Sequence, residues 1–151
     1  MPLTAMREES VSCLFGREPT EVRRAREATR KALYDWGLGE HSEFSELIVS
    51  ELVTNGVQAS QELFSSRFNG QWIPGQPPVR LWLQANHARV LIQVWDGSDR
   101  MPHGGKPEPD MERGRGLLIV EALCERYGSY TFEGCSGKVV WGEVMQQRAN
   151  T

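Results

Sequence analysis

The chain has 151 residues, 39% of them apolar and a quarter charged, which is enough for one globular domain. Its 17 Lys and Arg stand against 20 Asp and Glu with no basic block, so the charge pattern of a phosphate-backbone binder is missing and no nucleic-acid partner is expected. The start, "MPLTAMREES", carries no basic-then-apolar leader and no later run approaches a membrane span, so a cytoplasmic protein without a membrane partner is expected.

Residues 1–10 read as a flexible N-terminus, and "VSCLF", residues 11–15, permits a short first strand. From Pro19, the positions Val22, Ala25, Ala28 or Thr29, Ala32, Leu33 and Trp36 fall at helical spacing, with Gly37 after the end. A second, more apolar helix runs from about His41 to Phe64, and "SSRFNGQWIPGQPP" reads as a connecting loop. The period then changes. "VRLWLQA" and "RVLIQVWD" read as two strands of an antiparallel hairpin with a tight turn near Asn86-His87. A long Gly/Pro loop follows, then a third helix in "LLIVEALCERYG" and two further strands in "YTFEG" and "GKVVWGEVM". This order describes an α+β fold, a two-layer sandwich with helices on one face of a mostly antiparallel sheet. One domain, residues 11–145, is expected between flexible termini at 1–10 and 146–151. Cys13, Cys124 and Cys135 lack CxxC spacing and suit reduced thiols with a structural role. His41, His87 and His103 fall at unrelated places and read as surface residues, and no Ser/His/Asp or Cys/His set is evident.

Chemistry concentrates in three places. In "ELVTNGVQAS", Glu51 and Asn55 lie one helical turn apart beside an apolar arc that includes Phe44, Leu47 and Ile48. Two readings stay open. The pair sits at the edge of a half-exposed helix, capping or bonding nearby backbone; or a metal-bound ligand satisfies both groups. In "VLIQVWDG", Asp96 ends an apolar strand where a loop begins, which is a usual place for ligand contact and also an ordinary Asp-Gly turn. In "GRGLLIVEAL", Gly114 and Gly116 open a helix whose first N–H groups are available to an anion, although Ile119 breaks the GxGxxG pattern. The stretch from Gly97 to Arg113 between them is long and rich in Gly and Pro, as a lid would be.

Taken in order, these segments resemble the GHKL superfamily of ATP-binding domains, the Bergerat fold shared by gyrase, MutL and sensor histidine kinases. "ELVTN" is similar to its N box, "VWDGSDRMP" to its G1 box and "GRGLLIVEAL" to its G2 box. "AREATRKALYDWGL", "VSELVTN", "GRGLLIVEALCERYG" and "GKVVW" look like the short stand-alone members, the anti-sigma-factor serine/threonine kinases and the actinobacterial ATP-binding regulators similar to them. The resemblance implies ATP and Mg2+ as cofactors, with Asn55 as magnesium ligand and Glu51 as catalytic base. Asp96 would accept a hydrogen bond from the adenine amino group. Gly97, Arg113, Gly114, Arg115, Gly116 and Leu117 would complete the nucleotide site. Departures stand beside the match. Gly97-Ser98-Asp99-Arg100 replaces the later glycines of a DxGxG box, Ser60 and Gln58 replace residues that are often His and basic, and Val139 stands where Thr often helps hold the aspartate. The implied function is an ATP-binding regulator that phosphorylates an antagonist protein. The alternative is a binding module that grips a sigma factor or another regulator without transfer. The protein partners are a sigma factor or its antagonist, and a homodimer is a family expectation.

Overall fold

In the computed structural model, which describes residues 7–13, 18–67, 79–97, 112–131 and 137–145, the helical and strand periods of the sequence separate into two layers. Strand β1 is Arg7–Cys13 and helix α1 is Glu18–Asp35. Helix α1 turns Ala25, Thr29, Ala32 and Leu33 inward, and the Thr29 hydroxyl, having no water to meet, donates to the Ala25 carbonyl at 2.8 Å. The helix stops at Gly37, whose φ of 75° is open to glycine at little cost. There the Gly37 N–H bonds the Tyr34 carbonyl at 3.1 Å and the Leu38 N–H reaches back to the Leu33 carbonyl at 2.7 Å, satisfying the helix end in a Schellman arrangement. Leu33 and Leu38 are both buried across this turn.

A 3-10 turn, Gly39–His41, leads directly into α2, Ser42–Arg67. Helix α2 buries Ile48, Val49, Leu52, Val53, Gly56, Val57 and Ser60, a spacing of three, four and one that traces one stripe. Arg30 of α1 meets Glu46 of α2 at 3.1 Å, fixing the two helices side by side.

The sheet runs β1, β2, β3, β5, β4, every neighbour antiparallel. Its other strands are β2 (Val79–Ala85), β3 (Arg89–Asp96), β4 (Arg126–Thr131) and β5 (Lys138–Met145). Asn86 makes the β2–β3 turn, its side-chain oxygen accepting from the Ala88 and Arg89 N–H groups. Alternate residues of β2 and β3 (Val79, Leu81, Leu83, Val90, Ile92 and Val94) are buried beneath the helices. Each such side chain contributes about 1.5–3 kcal/mol by leaving water. Helix α3, Glu112–Leu123, packs beside α2 and adds Val120 to the same core. Among the described residues no helix is long and apolar enough to cross a membrane.

The expected α+β sandwich is therefore present, with boundary differences that have physical causes. Strand β1 begins at Arg7 rather than residue 11, because pairing with β2 supplies backbone bonds that its polar residues did not advertise. Helix α3 starts at Glu112 and ends at Leu123, and β4 begins at Arg126, ahead of the expected "YTFEG". Arg126 and Tyr127 lie opposite Glu143 and Gly142, so strand pairing overrides the helical pattern there. His41 is 4% exposed, against a surface expectation, since the 3-10 turn rolls it into the α1–α2 junction; burial lowers its pKa. His87 is exposed as expected, and His103 lies outside the described residues. Cys124 carries a free thiol pressed over Gly142, and burial pushes its pKa up to about 11, which suits an inert structural role. The side chain of Cys13, and Cys135, lie outside the described residues, as do 1–6 and 146–151.

Strand β5 enters the sheet through Gly137, whose φ is 97°. A Cβ there would collide with the Asp96 backbone oxygen and stand 2.6 Å from Trp95 Nε1. Gly137→Ala should therefore cost at least about 2 kcal/mol, combining the left-handed strain of a non-glycine residue with the overlap. Urea unfolding reads this directly, and an unchanged midpoint would refute the tight entry of β5.

Candidate functional site

Glu51 and Asn55 share one line of α2 with Leu47, which is 42% exposed, and this line borders the buried stripe. Both polar residues are half-buried. Among the described residues neither side chain has a hydrogen-bond or ion-pair partner, so the capping reading of the pair finds no bond to rest on. Burial alone raises the Glu51 pKa above its ordinary value. Their place along the sheet is set by the next residue, Gly56. A Cβ at Gly56 would stand 3.3 Å from the methyl groups of Val79 and Val94, so the α2 backbone lies close over those two side chains of β2 and β3. Val79 is the register partner of Asp96, and Val94 precedes it by two residues on the same face. The Glu51–Asn55 line and the end of β3 are thereby brought to one end of the α2–sheet seam.

Asp96 points to the helix side of the sheet and is 2% exposed. Its Oδ1 accepts from Lys138 Nζ at 2.9 Å, and the Lys138 side chain is 4% exposed. The two residues stand directly opposite in the β3–β5 register, which is why they share a face. Val139 is opposite Trp95 and Tyr130, on the other face of the pleat. Val139 therefore gives Asp96 no polar contact, as its replacement of a Thr implied, and the strand alternation places Lys138 beside the carboxylate instead. Asp96 is a buried, paired carboxylate rather than an ordinary solvated Asp-Gly turn.

The two glycines of "GRGLL" lie within α3 and do not open it. Gly114 sits in the first turn, where N–H groups have no carbonyl four residues back within the helix, whereas Gly116 faces the carbonyl of Glu112. Arg113 and Arg115 are in the same turns and Leu117 follows, all with helical backbone. Gly97 is the last described residue after β3. Of the expected lid, residues 98–111 lie outside the described residues.

A separate groove of about 580 Å³ crosses the open face of the sheet, lined by Glu8, Trp82, Gln93 and Tyr130. Its polar groups bond each other, Gln84 to Glu8 at 2.7 Å and Tyr130 to Gln93 at 2.8 Å. It lies on the face of the sheet away from Asp96 and Glu51.

The donor chemistry fits a magnesium nucleotide. Asn55 and Glu51 offer hard oxygen atoms that have no partner among the described residues, and among those residues no three His, Cys, Asp or Glu side chains gather to hold a metal by themselves. An ion held there would take most of its ligands from phosphate and water, as magnesium does. Asp96 supplies a fixed acceptor at the end of the same seam. Two of these features, the close approach at Gly56 and the pairing of Lys138 with Asp96, escaped sequence reasoning. The glycine after Asn55 and the lysine in "GKVVW" were the available signals.

The raised Glu51 pKa carries a stability sign. The folded chain favours the neutral carboxyl, so that contribution is whole below the ordinary value of 4.5 and is lost as pH rises through the higher folded value. Ionised Glu51 therefore costs stability at neutral pH. Glu51→Gln should raise the melting temperature at about pH 7, and the gain should vanish near about pH 3.5. Parallel melts of both proteins check it, and a lower melting temperature for the variant at neutral pH would contradict it.

Comparison with known proteins follows the same lines. A family profile described as the histidine kinase-like ATPase domain matches residues 15–141. No curated protein matches the chain. The matched span contains α1, α2, the β2–β3 hairpin with Asp96, α3, and β5 through Trp141. Since the match takes in most of the sequence and every element that carries the site, the chain belongs to the histidine kinase-like ATPase domain family, the GHKL type of ATP-binding domain.

Proposed function

We propose that the protein is an ATP-dependent serine/threonine protein kinase of the anti-sigma-factor type, which phosphorylates an antagonist protein and also engages a sigma factor. The carrying observation is the half-buried Glu51–Asn55 line, without partners among the described residues, at the end of the seam where Asp96 is buried. A chain that merely held nucleotide would have no use for a desolvated carboxylate beside the asparagine. In this reading Asp96 accepts from the adenine amino group, and the N–H of Gly114 meets phosphate oxygen at the start of α3. Asn55 contributes its carboxamide oxygen to magnesium, which when bound offsets charge on the transferred phosphoryl group. Glu51 takes the proton from a seryl or threonyl hydroxyl of the partner. Its pKa is raised by burial, which makes it a stronger base than an ordinary carboxylate.

Base recognition is tested first. Magnesium-ATP should bind more tightly than magnesium-GTP, and Asp96→Asn should weaken ATP binding by about 1.5–3 kcal/mol, the worth of a hydrogen bond to a charged group. Calorimetry reads both, with melts run in parallel to confirm that the variant is folded. Equal affinity for the two nucleotides would remove Asp96 from the base site.

Roles on α2 separate by a second pair of variants. Asn55→Ala should impair nucleotide binding and transfer together. Glu51→Ala should leave nucleotide affinity within a few fold while cutting phosphotransfer by roughly 10²–10⁴-fold, since a base acts mainly in the transition state. Labelled ATP with a panel of antagonist proteins supplies the assay. Full transfer by Glu51→Ala would exclude Glu51 as the base. Capture of a partner by wild type without transfer to any antagonist would favour a non-catalytic partner-switching module.

A further inference from the structure

The Asp96–Lys138 pair asks for a reason of its own. Two charges buried to 2% and 4% exposure lose their hydration, and the attraction at 2.9 Å rarely returns more than that loss. Apolar residues of similar size would hold β3 to β5 at least as well, as Val94 and Val140 do one pair away. What an apolar pair cannot do is present a carboxylate in one orientation. Lys138 grips Oδ1, and because a carboxylate is rigid and planar, fixing one oxygen sets the direction of the other. An opposite charge at this distance also favours the anionic form, which only accepts hydrogen bonds. A neutral carboxyl carries a hydroxyl that can donate instead. The difference decides which purine is read: an amino group at position 6 donates to a carboxylate, while a carbonyl at that position is repelled by it and would be welcomed by a hydroxyl.

We propose that Lys138 is the positioning residue for Asp96, holding that carboxylate in the orientation and charge state that select a 6-amino purine over a 6-oxo purine. The inference rests on the ATP-binding reading of Asp96 and adds the residue that makes its selectivity. Position 139, on the far face of the strand, takes no part in it. Lys138 touches no base itself and acts only through Asp96.

Calorimetry with magnesium-ATP and magnesium-ITP tests this on wild type, Lys138→Met and Lys138→Gln, with a melt of each. ITP carries a 6-oxo group and an N1–H in place of the 6-amino group and bare N1 of ATP, and it shares the ribose and triphosphate. Wild type should prefer ATP by roughly tenfold or more, the scale of a hydrogen bond to a charged group. Each Lys138 variant should lose most of that preference while ITP affinity stays within about threefold, because the phosphate-binding groups are untouched. A purely structural lysine would lower both affinities together, and an equal fall, or an unchanged ATP-to-ITP ratio in a folded variant, overturns the proposal. Lys138→Gln keeps a donor and much of the shape, so the decision does not hang on the folding of the Met variant. Wild type that binds ATP with variants that keep its preference refutes Lys138 alone. Wild type that binds neither nucleotide refutes the ATP-binding reading and this inference with it.

Discussion

How closely helix α2 lies on strands β2 and β3 governs the rest of the site. The stripe from Ile48 to Val57 is buried against Val79, Leu81, Ile92 and Val94, and burial of each large side chain stabilises the seam by about 1.5–3 kcal/mol. Such a stripe must lie flat to exclude water, and Gly56 allows it by omitting the Cβ that would press on Val79 and Val94. Once the stripe is seated, the 3.6-residue period leaves no choice about where its neighbours go. Leu47, Glu51 and Asn55 fall along its border, half in and half out of water. The polar pair is thus placed by apolar contacts that do not involve it.

The sheet imposes a second constraint of the same kind. Register between β3 and β5 puts Asp96 opposite Lys138, Ile92 opposite Gly142 and Val90 opposite Val144, all on the helix side. A slip of β5 by one residue would turn Val139 under α2 and Lys138 out to the open face, parting the ion pair. Gly137 resists the slip, since its positive φ and its contact with the Asp96 backbone oxygen fix where β5 begins. Gly142, a strand residue without a side chain, leaves room for Cys124 and lets α3 come down beside α2. Gly56 and Gly142 therefore set the spacing of the layers around the site and Gly137 the start of β5, each by a contact that a Cβ would disturb.

The architecture was legible because it depends on periodicity, and periodicity survives in the sequence. The alternation in "VRLWLQA" and "RVLIQVWD" and the helical spacing after Pro19 gave the hairpin and α1 nearly to the residue. Where local pattern and pairing disagree, the sequence misleads. Residues 126 and 127 continue an apparent helix yet join β4, because β5 offers them backbone partners that no local rule records. Polar "REES" hides the start of β1 for the same reason. At the site, Glu51, Asn55 and Asp96 stood out as polar residues in apolar settings. Lys138 did not, since a lysine at the start of a strand reads as a surface residue until the register shows what lies opposite.

Two carboxylates now occupy one end of the seam in unlike environments, and the contrast is informative about their chemistry. Asp96 is fully buried and matched by an ammonium at 2.9 Å, so its charge is compensated and its orientation fixed. A carboxylate held this way is suited to accept a hydrogen bond from one fixed direction. Glu51 is half-buried, unmatched among the described residues, and shifted towards the neutral form by desolvation alone. Its proton affinity has been raised, and no hydrogen bond among the described residues ties the carboxyl down. Where environments separate two carboxylates like this, the paired one suits recognition and the unpaired one suits proton transfer. The division follows from burial and pairing, and it supports the proposed roles, in which the base would be read from β3 and the chemistry done from α2.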